Sequence, residues 1–346
     1  MDYKALLQNS RLLLQAQLRP VQGDRFQPTG FADIGAAVYQ RPNEDGATGT
    51  QMLLVESAQS VANRLEKTCL AGDGPLIDPE LEGLPYVVAR LRGNGVGEMV
   101  TSSLVEAHRL GSPFFMKDKA FTDRLSEEMK YQQKGQINWR DVYKTFFKYD
   151  PNCLIHGVFL SLLGDGRVRI PRALTGFIEA EGVNQAQSGG VKNSPVDPKG
   201  EIQVESGSGD KGIYSNVPYA RTEYVARKIT AYFNLDIQQI RSYGLGEAGT
   251  QLLIALALLK VRRFLNSDLR LRTACIFDVV GEVKAERPFG FVLPGEPDLL
   301  VEVKRLIAAC KGGFADPAVT ENQVPVAVKK AIKPDKKAAQ EEVVEA

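Results

Sequence analysis

Leu12, Leu14, Ala16 and Leu18 alternate with Leu13, Gln15, Gln17 and Arg19. A period of two puts one set of side chains in a core and turns the other away, so this stretch is a half-buried strand that requires a sheet to lie in. The strand empties into Pro20, Gly23, Pro28 and Gly30, with Arg19, Arg25 and Phe26 among them. A plain connection needs only turn chemistry. Two arginines, an aromatic ring and backbone-permissive residues mark a loop that touches something.

At 346 residues the chain can bury a large core, as one big domain or two small ones. Its net charge of +1 gives no global basic signal, so any nucleic-acid contact must come from local clusters offset by acid elsewhere. Cys69, Cys153, Cys275 and Cys310 are far apart and form no C-x-x-C unit, which argues against a zinc ribbon or disulfide framework and suits a reducing compartment. The first residues lack the basic and apolar regions of a signal peptide, and "LLIALALL" (252–259) is too short to span a bilayer. The expected location is cytoplasmic, with no membrane partner.

A second strand is expected over "QMLLVES" (51–57), leading into a helix over 57–70 with Ser57 as cap and Val61, Leu65 and Cys69 at helical spacing. "PYVVARL" (85–91) reads as a strand, "EMVTSSLVEAHRL" as a helix, and the apolar "CLIHGVFLSLL" (153–163) as a central strand. Residues 182–217 differ: they are dense in Gly, Ser, Asn and Pro, with only "EIQVE" strand-like, and so long a polar excursion is functional or disordered. A long helix is expected at about 247–267, then a strand over "RTACIFDVVGEV" and a helix over "DLLVEVKRLIAACK". From residue 316 on, lysine-rich and glutamate-rich segments lack hydrophobic periodicity, as in a mobile tail. Long gaps between strands do not fit a doubly wound dinucleotide fold; an α+β sheet with large insertions does.

Several motifs mislead. "GLGEAG" (244–249) matches a dinucleotide fingerprint and opens a helix, but it follows the helical "DIQQIRSY" where a strand is needed. "RGNGVGE" (92–98) carries Glu98 where the third glycine belongs and reads as a strand-to-helix turn. "RPFGFVL" (287–293) resembles an RNA-recognition strand, yet Pro288 and Pro294 replace the required glycine and aromatic, which argues against a central strand and favours a chance match over base stacking. The two histidines, His108 and His156, have no metal-ligand spacing, and no nucleophile elbow or P-loop occurs. Asp24 and Asp33 in the first loop are the only candidates for metal-assisted hydrolysis, and turn-forming aspartates are commoner. The chain does not read as an enzyme.

The remaining signals converge on phosphate. Arg19, Gln22, Gly23, Arg25 and Phe26 give the first loop two guanidinium forks, a glycine for close approach and a ring for stacking. On the next helix Gln59, Ser60, Asn63 and Arg64 lie on a polar face that suits a sugar-phosphate backbone. Lys192 and Asn193 lie in the polar excursion, Arg221 follows it, and Arg262 and Arg263 belong to a net-positive stretch over 227–272. Together they suggest a basic groove for single-stranded nucleic acid, held by backbone contact and stacking.

In those same stretches, "LRPVQGDRFQPTGFADIGAAVY", "LLVESAQSVANRLE", "LIHGVFLSLLGDGRVRIPRALTGFIEA", "SGGVKN", "NVPYARTEYVARKITAYFNLD", "SYGLGE" and "LLIALALLKVRRFL", the chain resembles the backbone subunit of the type I-G (formerly I-U) CRISPR Cascade, of the repeat-associated mysterious protein superfamily. The resemblance runs from about residue 8 to 280. It implies one ferredoxin-like, RRM-type palm over 1–315, with helical fingers inserted at about 92–150 and a flexible β-hairpin thumb at about 182–217, followed by the tail 316–346. It also implies the partners: CRISPR guide RNA, a target DNA strand paired through that guide, further copies head to tail, a large subunit, a repeat-end subunit and a recruited helicase-nuclease. Catalysis and cofactor are implied to be absent from this chain. A metal-dependent RNA endonuclease of the same superfamily is the alternative, and it would work through Asp24 or Asp33.

Overall fold

The computed structural model describes residues 3–31, 33–42, 46, 49–93, 96–199, 201–205, 211–213 and 216–325. Of the mobile tail expected over 316–346, Val319–Pro325 is instead a strand, and the residues from 326 on lie outside the described residues. Two compact units divide the chain. The first takes the residues up to Thr68, with Leu174–Gln238 and Ala257–Leu299; the second takes Cys69–Ala173, Gln239–Leu256 and the chain from Leu300 on.

The first unit is built on a seven-stranded sheet. Its strands are β1 (Arg11–Pro20), β2 (Val38–Arg41), β3 (Thr50–Glu56), β4 (Leu174–Asn193), β5 (Asn216–Asp236), β6 (Arg270–Arg272) and β7 (Cys275–Arg287). Their spatial order is β6-β7-β1-β5-β4-β3-β2, and every neighbouring pair is antiparallel. The alternation in β1 holds: Leu12, Leu14, Ala16 and Leu18 are buried, as are Ala231 and Phe233 of β5 beside it and Ile178 and Ala180 of β4, the next strand over. Each leucine, isoleucine and phenylalanine among them contributes about 2 kcal/mol by leaving water, and each alanine less. Helix α1 (Ala58–Lys67) sets Val61 and Leu65 against this face, and Phe264 meets Phe233 edge-on at 6.0 Å. Gly176 must be small, because a Cβ there would lie 2.8 Å from the Phe233 ring and 3.0 Å from Val61.

The polar excursion is ordered over much of its length, contrary to the expectation of a stretch with little regular structure. β4 and β5 pair without interruption of register from Leu174↔Leu235 to Asn193↔Asn216. β1 pairs no further along β5 than Ile229, and β3 no further along β4 than Glu181. From Val183↔Ala226 outward, eleven residues of β4 therefore run in a two-stranded ribbon about 36 Å long. Beyond its root, where Val183, Glu223 and Tyr224 are buried, both faces of the ribbon meet solvent, so it needs no apolar alternation, and that is why pattern reading misses it. Short strands Gln203–Glu205 and Lys211–Ile213 pair beyond it, as "EIQVE" suggested.

The second unit holds a three-stranded sheet in which Tyr86–Gly93 pairs Val319–Pro325 in parallel and Val96–Ser102 antiparallel. Two expectations fail here. "EMVTSSLVEAHRL" forms the strand Val96–Ser102 and then a 3₁₀ turn, Arg109–Gly111, so 92–98 joins two strands rather than a strand and a helix. "CLIHGVFLSLL" is a short helix, Asn152–His156, followed by a two-residue strand, Val158–Phe159. Asp150 accepts the Asn152 N–H at 3.0 Å to start that helix, and Gly157 at φ +80 ends it. An apolar run of this length carries no period that could tell helix from strand.

On this unit's surface Asp165 accepts from the Tyr131 hydroxyl, from Lys134 N–H at 2.8 Å and from Arg167 Nε at 2.7 Å. The Tyr131 hydrogen bond, with those two, lowers the Asp165 carboxyl to about 2. A depressed carboxylate stabilises the fold fully above its unfolded pKa of about 3.9, and that stabilisation is lost as pH falls through the folded value. Acid titration of unfolding should therefore be shallower between about pH 4 and 2 in Asp165→Asn than in the wild type; identical limbs would show the network idle.

Candidate nucleic-acid interface

The loop after β1 is pinned at both ends and open in the middle. Val21 N–H reaches the Ile276 carbonyl at 3.0 Å, Gln27 N–H the Ala274 carbonyl at 2.7 Å, and Thr29 N–H the Val55 carbonyl at 2.8 Å. Between these anchors Gln22, Gly23, Asp24 and Arg25 are exposed, and Gly23 supplies the φ of +65 that the turn requires. Arg19 and Arg25 keep 69% and 58% of their side-chain surface in water. Arg19 stands 3.6 Å from the exposed Asp278, a pair worth less than about 1 kcal/mol, and Arg25 stands 3.5 Å from Glu223, whose carboxylate is buried.

Phe26 corrects the sequence reading. Its ring is buried, edge-on to Phe277 at 5.6 Å, and its backbone exchanges two hydrogen bonds of 2.9 Å with Tyr224. It is an anchor that ties the loop to β5, and no base can stack on it. Arg221 joins the same place: buried Glu223 faces Arg221 at 3.1 Å on one side and Arg25 on the other. The structure thus gathers Arg19, Gln22, Gly23, Arg25 and Arg221 around the root of the β4–β5 ribbon.

α1 divides its polar residues. Ser57 caps it, accepting the Ser60 N–H at 3.3 Å, as expected. Gln59 and Asn63 are exposed and bonded to each other at 2.9 Å. Ser60 and Arg64 turn the other way, into the fully buried carboxylate of Glu56. Arg64 donates to Glu56 at 2.9 Å and to the Leu271 carbonyl at 2.6 Å. Arg272 grips the second Glu56 oxygen and donates to the Gln27 carbonyl at 3.0 Å. Ser60 and Arg64 therefore work inside the fold, joining β3, α1, β6 and the end of the loop. Sequence reasoning missed Glu56, which reads there as the polar end of an apolar strand.

Arg262 and Arg263 are also committed. Arg262 donates to the Leu293 and Pro294 carbonyls at 2.6 and 3.0 Å, and burial lowers its pKa. Arg263 donates to Glu296 at 3.0 Å and to the Thr68 carbonyl at 2.9 Å. Lys192 and Asn193 lie exposed at the outer end of the ribbon, away from the loop. There Tyr219, unnoticed in the sequence, lies across Gly190, where a Cβ would come 3.0 Å from its hydroxyl.

The face of the sheet opposite α1 carries a second polar cluster. Phe177 and Tyr232 stack at 5.1 Å across β4 and β5. Glu181 joins Arg41 and Arg227, and its hydrogen bond from Arg41 lowers its pKa most. Tyr39 donates to Glu179 at 2.7 Å; burial and that carboxylate raise its hydroxyl to about 12, so it stays a neutral donor. Asp24 and Asp33 are both exposed, and among the described residues no three His, Cys, Asp or Glu side chains come together as a metal site. Among the described residues no helix is long and apolar enough to cross a membrane.

The profile of a family described as CRISPR-associated protein GSU0053 matches residues 12–185, about half of the chain and the part that carries β1, the open loop, α1 and the first half of β4. The chain belongs to that family. No curated protein sequence matches it. Among solved structures it is similar to a chain of a "CRISPR RNA-guided surveillance complex, pre-nicking", at 14% identity and a TM-score of 0.41 over 96% of this chain and 86% of that one. It is also similar to Csc2 in the crystal structure from Thermofilum pendens, at 10% identity and a TM-score of 0.31 over 90% of this chain and 80% of that one.

Proposed function

We propose that this member of the GSU0053 family is an RNA-binding backbone subunit of a type I-G Cascade, set head to tail with other copies along the spacer of a CRISPR guide RNA. The observation that carries the reading is the open loop with Arg19 and Arg25 beside Arg221 at the root of a long bare ribbon. The topology supports a ferredoxin-like palm: β1, α1, β4, β5, a helix and β7 follow in chain order, and the four strands lie as β7-β1-β5-β4, all antiparallel. In this reading the ribbon is the thumb and 92–150 supplies the fingers.

A subunit that must accept any spacer reads the RNA backbone and leaves the bases to pair with target DNA. Arg19 and Arg25 hold phosphates, Gly23 lets the chain approach closely, and Gln22, Gln59 and Asn63 bond sugars and phosphate oxygens. Lys192 and Asn193 reach along the ribbon toward the next segment of guide. Repetition turns modest contacts into tight binding. The large subunit, the repeat-end subunit and the helicase-nuclease complete the complex, and cutting belongs to the nuclease. Single-stranded RNAs of increasing length, titrated at several salt concentrations, should bind without sequence preference, more weakly as salt rises, with occupancy rising in steps with length. Shortened RNA that persists in Asp24 and Asp33 variants would point to a contaminant. Shortening lost in those variants would replace this reading with a nuclease.

A further inference from the structure

The second unit carries a hairpin that holds an aromatic ring out in solvent. Val158–Phe159 pairs antiparallel with Arg169–Ile170, so Phe159 lies directly across from Arg169. Val158, Leu160, Val168 and Ile170 are buried, which leaves Phe159 and Arg169 on the outer side, and Phe159 is 47% exposed. The hairpin is braced from below and at its tip. A Cβ on Gly111 would lie 2.3 Å from the Phe159 carbonyl oxygen, and Leu160 N–H reaches the Val168 carbonyl at 3.0 Å. Arg167 stands over the Tyr131 ring at 5.9 Å and donates to Asp165 at 2.7 Å and to the Gly135 carbonyl at 3.0 Å. A phenylalanine fixed in water gives up the burial that would stabilise the fold, as a binding surface does.

The charges around the ring decide what it would bind. Three of the five charged groups on and under the hairpin are spent. Asp165 offsets Arg167, and Arg109 donates to the Gly157 carbonyl at 3.1 Å. Glu106, in the segment leading to Gly111, accepts from Thr101 at 2.6 Å and from Ser112 at 2.9 Å. Arg169 differs: its guanidinium stands over the Phe159 ring at 5.8 Å and, among the described residues, has no hydrogen bond or ion pair. A guanidinium over a ring keeps its in-plane N–H donors for phosphate, while the ring offers a face to a base. An apolar peptide would use the ring and leave the guanidinium idle; a nucleotide uses both.

We propose that the Phe159–Arg169 hairpin is a second contact for single-stranded nucleic acid, the ring stacking one base and Arg169 holding the adjoining phosphate. It lies on the second unit, whereas the loop assigned above belongs to the first, so it goes beyond that reading and stands without it. Stacking is indifferent to the sugar, so guide RNA and a DNA strand present the same chemistry.

The full-length chain, titrated with oligo-uridine and oligo-thymidine of equal length at several salt concentrations, tests this. Phe159→Ala should bind about tenfold more weakly with an unchanged salt slope, and Phe159→Trp should restore the affinity. Arg169→Gln should flatten the slope by about 0.7. A loss confined to the RNA assigns the hairpin to the guide, and one confined to the DNA assigns it to the target strand. Wild-type affinity and slope in Phe159→Ala and Arg169→Gln with both strands overturns the proposal and leaves the loop reading in place. A loss in Phe159→Ala that Phe159→Trp does not restore also overturns it, because the ring then acts through packing. Binding that depends on Phe159 but survives Arg19→Ala with Arg25→Ala keeps the hairpin and removes the loop. Wild type that binds neither strand removes both.

Discussion

Glu56→Gln should cost about 3 kcal/mol of stability. The carboxylate is wholly buried and receives Ser60, Arg64 and Arg272. Removing one partner of a buried ionic group typically costs 3–5 kcal/mol, roughly, because the other charges keep their desolvation without their counterion. The two arginine side chains here retain 29% and 25% of their surface, so water can recover part of the loss and the lower end applies. Denaturant titration should place the midpoint of Glu56→Gln well below wild type. A cycle with Arg272→Met should give a coupling above about 1 kcal/mol, since the two residues share one network. Additive effects, or an unchanged midpoint, would show that the buried carboxylate does not hold β3, α1 and β6 together.

The sequence made the elements legible where the period was strong and both faces differed. β1, α1 with its Ser57 cap and the helix Gly246–Asn266 follow directly from alternation, capping and apolar content. Where the period carried no information the reading failed. The run around His156 is apolar on every side, and the β4–β5 ribbon is polar on both faces, so neither offers an inside and an outside. Candidate arginines met a different limit. Composition identifies a guanidinium but not its partner, and the partners of Arg64, Arg262 and Arg263 are carbonyls and carboxylates brought near by the fold. Arg19 and Arg25 stand apart because their loop is held at its ends and left exposed between. Tyr219 was invisible for a related reason: its position across Gly190 exists only once the strands pair.

Those two arginines give the sharpest test of the interface. Arg19→Ala with Arg25→Ala should weaken binding of an RNA short enough for one copy by roughly thirtyfold, about 2 kcal/mol, at moderate salt. A charge-assisted contact to phosphate is worth about 1.5–3 kcal/mol; Arg19 must first leave an exposed pair with Asp278 worth less than about 1 kcal/mol, and Arg25 leaves the buried Glu223 carboxylate to Arg221. The salt dependence separates contact from collapse. Each phosphate contact on a single strand contributes about 0.7 to the slope of log affinity against log salt, so the double variant should flatten it by about 1.4. Arg262→Ala serves as the contrast, because its guanidinium donates to backbone carbonyls. It should lower stability and leave the slope of the folded fraction unchanged. An unchanged slope in Arg19→Ala, Arg25→Ala would move the RNA away from this loop. A flattened slope in Arg262→Ala would mean that the pairing seen around Leu293 yields to phosphate when RNA binds.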